Sequence, residues 1–261
     1  MKEKITGSTL PVLEVGLETG DVIVAEPGEF SWMTENVNLK TTTMTAGAKG
    51  IFGVLGRALS GGGLFMTEYS VQSGNGLIAF AAKVPGVIEK VDVQPGHGYM
   101  IHRHGFLCAT QGVELSMGFQ KSLGAGIFGG NGFVLQRLAG TCTAWVELGG
   151  EIVTYDLAAG ETIKVHPGHV GMFQDTVNFD VQFMNGIANV FFGGNGLFVA
   201  QLTGPGKVWL QTLTMPNLAH AISPYLGKEA AQATTATAMT AGGIGGAVAG
   251  DLLKNIFGGG G

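Results

Sequence analysis

The chain reads as all-β, built from three related units in tandem with a different kind of segment at its C-terminus. Three observations predict this. Glycine supplies 46 of 261 residues, against a usual share of roughly 7%, and follows no three-residue collagen period. Landmarks recur in one order at nearly one spacing. Apolar residues alternate with polar ones over short runs bounded by glycine turns, the pattern of half-buried strands in a sandwich or barrel.

The repeat comes first, because overlooking one misassigns the whole fold. Val15 to Glu26, Val91 to His102 and Tyr155 to His166 align, with Gly20, Gly96 and Gly160 at the same place, 76 and 64 residues apart. Gly63-Leu-Phe, Gly132-Phe-Val and Gly196-Leu-Phe follow at spacings of 69 and 64, and the turns at Gly74, Gly140 and Gly204 at 66 and 64. The units therefore run over about residues 10–88, 89–152 and 153–215, the first carrying extra residues. Val177, Phe179, Val181 and Phe183 alternate with Asn178, Asp180 and Gln182 in one strand. Ala144, Val146 and Leu148 share a face of another, with Trp145 and Glu147 opposite. Gly149-Gly150 closes a hairpin, since glycine reaches positive φ without a Cβ clash. No helix is expected between residues 10 and 215.

Composition excludes several classes. With 45% hydrophobic and 13% charged residues the chain collapses in water and is not disordered. Fourteen Lys and Arg against 19 Asp and Glu, scattered along the chain, leave no basic groove with interleaved aromatics, so nucleic acid is not an expected partner. Cys108 and Cys142 form neither a disulfide framework nor a Cys-pair metal motif. Met1 to Gly7 lacks the apolar stretch of a signal peptide. A cytoplasmic chain with reduced thiols is the simplest reading.

The segments Gly-Ile127-Phe128-Gly-Gly-Asn-Gly132, Phe191-Phe192-Gly-Gly-Asn-Gly196 and Leu202-Thr-Gly-Pro-Gly-Lys-Val-Trp209-Leu-Gln-Thr-Leu213 resemble the altered-inheritance-of-mitochondria 24 family, formerly domain of unknown function 124. Val113-Glu114-Leu115 and Phe119-Gln120-Lys121 resemble it too, and the likeness covers about residues 8–215. It implies three fused copies of the TRAP-like β-fold, the fold of the tryptophan-RNA-attenuation protein, which agrees with the repeat. It also implies a link to inner-membrane organisation in mitochondrial members. It carries over no catalytic residue, and fold analogy alone does not assign function.

Hydrolase and phosphate-loop signatures are missing from the sequence. Cys142, in a Thr-Cys-Thr context, reads as a packed side chain rather than a nucleophile. The chain is thus expected to be non-enzymatic and to need no cofactor. The candidates for a metal are Glu26, His102 and His166, equivalent in the alignment, with His169 nearby. Two imidazoles and a carboxylate converging on a three-fold axis would suit Zn or Fe; otherwise they lie at turns on separate units and face solvent. Trp145 and Trp209, equivalent to Ala79, read as core packing.

Apolar segments around Ile51 and Phe52, Ile127 and Phe128, and Phe191 and Phe192 occupy one place in the three units. They either plug the end of the core or form a patch for a partner or membrane. Residues 216–261 are a small-residue tail. There Gly242, Gly246 and Gly250 recur every four residues, a spacing that permits close helix approach in a membrane, while the many glycines and threonines favour a flexible tail. The leading expectation is a scaffold or interaction protein, peripheral at the inner membrane, meeting protein partners or its own copies. The alternative is a small-molecule or metal-binding module using pockets between the units.

Overall fold

The structure, a computed structural model, describes residues 1–44, 64–121, 133–184 and 197–225. These residues form 19 strands in four antiparallel sheets, with one short α-helix and two 3₁₀ turns. The strands after the first fall into three groups of six. The first group is β2 (Val12–Glu18), β3 (Val22–Ala25), β4 (Trp32–Met33), β5 (Val37–Met44), β6 (Leu64–Val71) and β7 (Asn75–Ala81). The second is β8 (Gly86–Val93), β9 (Tyr99–His102), β10 (Phe106–Thr110), β11 (Val113–Lys121), β12 (Phe133–Gly140) and β13 (Cys142–Gly149). The third is β14 (Ile152–Leu157), β15 (Thr162–Val165), β16 (Val170–Gln174), β17 (Asn178–Met184), β18 (Leu197–Thr203) and β19 (Gly206–Gln211).

Pairing follows the same scheme in each group. The first strand pairs with the sixth, the sixth with the third, the second with the fifth, and the fifth with the fourth. Two junctions join the groups: β3 pairs with β10, and β9 with β16. The sheets are therefore β5-β6-β3-β10-β13-β8 and β11-β12-β9-β16-β19-β14, flanked by a four-stranded sheet ending in β4 and a three-stranded sheet β15-β18-β17. β1 (Lys2–Thr6), exposed along its whole length, adds to the outer edge of β2.

The sequence-level pattern has a direct cause in this layering. The inner strands β3, β10, β13 and β16 of the two six-stranded sheets are covered on both faces and lose the simple alternation of a half-buried strand, which the edge strand β8 keeps. In β13, Ala144, Val146 and Leu148 enter one core cluster while Trp145 enters another. In β3, Val24 points one way and Ile23 and Ala25 the other. A register shift between Phe106 and Cys108 in β10 lets Leu107 and Cys108 join the same cluster, as an extra residue in one strand of a pair does. The third cluster, around Phe133, Phe173, Val181 and Leu202, fills the space toward β17 and β18.

Gly20, Gly96 and Gly160 each turn between a first and a second strand at φ of +97°, +78° and +80°, a region that side chains with a Cβ avoid. The chain enters the C-terminal segment through the helix α1 (Met215–Ile222), its first turn capped by Thr214, whose Oγ1 accepts the Asn217 amide at 3.2 Å; residues 226–261 of the tail lie outside the described residues. Among the described residues no helix is long and apolar enough to cross a membrane. Gly242, Gly246 and Gly250, together with Ile51, Phe52, Ile127, Phe128, Phe191 and Phe192, lie outside the described residues.

Candidate functional site

Glu26 directly follows β3, His102 ends β9 and His166 directly follows β15. The three thus stand at the ends of the second strands, but each is committed to a separate set of neighbours. His102 is turned inward: its Nε2 lies 2.9 Å from the Glu147 carbonyl oxygen, so this nitrogen carries the proton and donates. Burial lowers its pKa to about 4, which keeps the ring neutral at neutral pH. A tight turn holds it, with the Gly105 amide on the His102 carbonyl at 2.8 Å and the Glu147 amide on the Gly105 carbonyl at 2.7 Å. A Cβ at Gly105 would stand 2.9 Å from the ring, so a larger residue there would push His102 from its place. The reading that these positions all face solvent is therefore corrected for His102.

Glu26 accepts from the Gln136 side-chain amide at 3.0 Å, and burial raises its pKa, with Glu29 adding to the rise. Glu29 is itself ion-paired to Lys83 at 2.6 Å. In the third group His169 Nδ1 lies 2.8 Å from the Gln211 carbonyl oxygen, and the His166 and His169 rings meet edge to face at 5.8 Å. Burial lowers the His166 pKa, and the neighbouring His169 adds to the fall. Among the described residues no group of three or more His, Cys, Asp or Glu side chains could hold a metal ion. The proposed convergence of Glu26, His102 and His166 is not formed.

Two residues outside the sequence-derived candidates organise this region. Glu147, 3% exposed, faces Ile88, and Gln211 faces Ile152 at the corresponding register of the third group. Each holds the crossing that leads into its own group. Glu147 Oε1 accepts the amides of Lys83 at 2.7 Å and Val84 at 3.1 Å, between β7 and β8. Gln211 Oε1 accepts the Gly149 amide at 2.9 Å, and its Nε2 donates to the Gly168 carbonyl at 3.1 Å. Each also has its backbone carbonyl bound by a histidine. Burial raises the Glu147 pKa, against the pull of its two amide donors. Its Oε2 and the Oε1 of Gln136 are buried without a hydrogen-bond partner. The sequence signal for Glu147 was a carboxylate amid an apolar run, which reads as a solvent-facing residue unless both faces of the strand are covered.

The thiols sit in unreactive surroundings. Cys108 is buried and its pKa is pushed well up, and that of Cys142 is raised to about 11, by burial in both cases. Trp145 and Trp209 occupy matching places, opposite Lys90 and Cys108 and opposite Thr154 and Met172. Both indoles are buried, and that of Trp209 donates to Glu89 Oε1 at 3.3 Å.

Among the described residues the four sheets end in β1, β4, β5, β8, β11, β14, β15 and β17, and of these β4 and β15 are the two whose equivalents in both other groups lie inside a sheet. Trp32 in β4 is 47% exposed, and β15 alternates exposed and half-buried residues. Rows of free amides and carbonyls with an apolar side chain beside them are ready templates for another strand.

The fold defines an all-β class in which three six-stranded groups are joined through two continuous sheets. The chain belongs to the mitochondrial biogenesis AIM24 family, which it matches over residues 4–213. An uncharacterized protein of Streptococcus pyogenes serotype M6 is 26% identical over 220 residues, covering 83% of this chain and 87% of that protein. The X-ray crystal structure of a Streptococcus pyogenes protein superposes with a TM-score of 0.67 at 24% identity, covering 86% of this chain and 99% of that one. That likeness establishes the shared fold.

Proposed function

We propose that this chain is a non-enzymatic scaffold that engages protein partners through its bare strand edges. The observation that carries the reading is the pair of open edges at β4 and β15, with Trp32 exposed beside the first. Strand addition supplies affinity through main-chain hydrogen bonds and specificity through alternate side chains. The groups with chemical potential favour the same reading. His102 and His169 are spent on backbone carbonyls, Glu147 on backbone amides, and both thiols are held protonated. The test is photo-crosslinking in the native cell from a reactive residue placed at Trp32 or Lys164, with Glu14 on the paired strand β2 as reference. Specific protein adducts at 32 and 164 support the scaffold; adducts no richer than at 14 contradict it.

The repeated apolar segments in the sequence favour a membrane surface as a further partner, with the chain peripheral at the inner membrane. Vesicle flotation of the full chain tests this. Flotation lost on Phe128→Asp or Phe191→Asp supports it, and a chain that stays at the bottom of the gradient contradicts it.

A further inference from the structure

We propose that β4 and β15 are two halves of one junction, completed when a second copy of this chain docks head to tail. The inference rests on the edge-scaffold reading and names its occupant. Within the chain two junctions of a single kind already exist: the second strand of one group pairs antiparallel with the third strand of the next, as β3 with β10 and β9 with β16. The third junction of the series would join β15 to β4, and among the described residues it is not made. Each molecule therefore presents one unpaired second strand and one unpaired third strand, and what one copy offers the next copy lacks.

Burial shows what the missing partner does elsewhere. The first four residues of β10 and all but the last of β16 are buried, whereas Trp32 is 47% exposed and Met33 only half-buried. β3 buries three of its four residues; β15 buries none.

The internal junctions also fix the register. Ala109 stands opposite Val24 and Phe173 opposite Met100. Trp32, Cys108 and Met172 hold one equivalent place, opposite Ala79, Trp145 and Trp209. Met33 then corresponds to Ala109 and Phe173, and Lys164 to Val24 and Met100. The intermolecular register is accordingly Met33 opposite Lys164 and Thr34 opposite Ile163. It sets the Lys164 ammonium diagonal to the exposed Glu35, within reach of a long side chain on a paired strand. Because the two surfaces differ, the contact is heterologous and builds a ring or a filament rather than a two-fold dimer.

The register makes the test specific. Met33→Cys and Lys164→Cys are placed in separate full-length chains, each in a Cys142→Ser background, and mixed under mild oxidation. Facing Cβ atoms in an antiparallel pair lie about 4.5–5.5 Å apart, near the span of a disulfide. The expected result is a covalent dimer from the mixture and none from either chain alone. The doubly substituted chain should give a ladder of covalent oligomers. A doubly substituted chain that links only within itself overturns the proposal in favour of intramolecular closure. No link at all, from chains that keep the β-sheet circular-dichroism signature, overturns it too. Sedimentation of the unmodified protein gives an independent reading. Species larger than 26.9 kDa that revert to monomer on Trp32→Asp support the junction, and a monomer across the concentration range overturns it. Should self-association fail while the cellular crosslinks at 32 and 164 capture other proteins, the scaffold reading stands and only this occupant is wrong.

Discussion

Replacing Glu147 by alanine should cost about 3 kcal/mol of stability, while replacing it by glutamine should cost less than about 1 kcal/mol. The first figure follows from what the carboxylate holds. It accepts two backbone amides, from Lys83 and Val84, on the crossing between β7 and β8, and hydrogen bonds to a charged group contribute roughly 1.5–3 kcal/mol each. The upper end of that sum is not reached, because the carboxylate is buried with Oε2 unpartnered and its ionised form is penalised by desolvation. Alanine leaves both amides without their acceptor. Glutamine keeps an acceptor oxygen at the same place and removes the buried charge, which is the solution already present at Gln211, where Oε1 accepts the Gly149 amide. For a domain of this size ~3 kcal/mol corresponds to a fall of roughly 6–12 °C in Tm. Urea unfolding followed by tryptophan fluorescence measures both variants. Equal destabilisation by alanine and glutamine would refute the argument, since it would make the charge rather than the acceptor the essential property. An alanine variant within about 0.5 kcal/mol of the native protein, the range of an ordinary surface substitution, would refute the clamp itself.

Titration separates His102 from the carboxylates. Its folded pKa of about 4 lies below the 6.5 of a free imidazole, so its contribution is complete above pH 6.5 and is lost as pH falls toward 4. His102→Gln, which retains a donor, should flatten the stability profile in that window; an unchanged profile would place the titration elsewhere. For Glu147 the folded pKa is raised, so the sign reverses: its contribution is greatest at low pH and lessens as the carboxyl ionises. Glu147→Gln should remove that decline, and a decline of the same size in the variant would contradict its assignment to Glu147. Gly140→Ala should destabilise more than Gly20→Ala. Both have positive φ, but a Cβ at Gly140 meets the Gly112 carbonyl oxygen whereas at Gly20 nothing lies within 4 Å; equal losses in urea unfolding would show that strain at φ alone decides. Cys108 should resist alkylation in the native protein at neutral pH and react once unfolded, because it is buried with a raised pKa; rapid native labelling would show that the core around it opens readily.

The fold was legible where the chain repeats its punctuation. Gly20, Gly96 and Gly160 marked the turn between first and second strands, and the alternation from Val177 to Phe183 marked β17. β1 was not legible, because Lys2-Glu3-Lys4-Ile5-Thr6 buries no side chain and is held by pairing with β2 and by the Lys90–Glu3 ion pair. α1 was missed although Thr214 and Pro216 form a recognisable start, since the alanine- and glycine-rich composition beyond it dominated the reading. The candidate site was legible only in part. Alignment placed Glu26, His102 and His166 at equivalent strand ends, but whether three such ends converge depends on how the groups are joined. Their joining spends His102 on a carbonyl and Glu26 on Gln136 instead. Glu147 and Gln211 were hidden because a strand covered on both faces has no polar side on which to expect them. The open edges were not readable at all, since an edge is a property of the sheet order and not of any residue.

Whether β4 and β15 are the working surface of the molecule is tested most directly by hydrogen exchange, comparing full-length protein isolated from its own cells as an intact assembly with the same protein stripped to single chains. The amides of β4 and β15 that face away from β7 and β18 should be protected in the assembly and exchange quickly in the single chain, while those of β13 and β19 are protected in both. Equal, fast exchange at the two edges in both samples would contradict this.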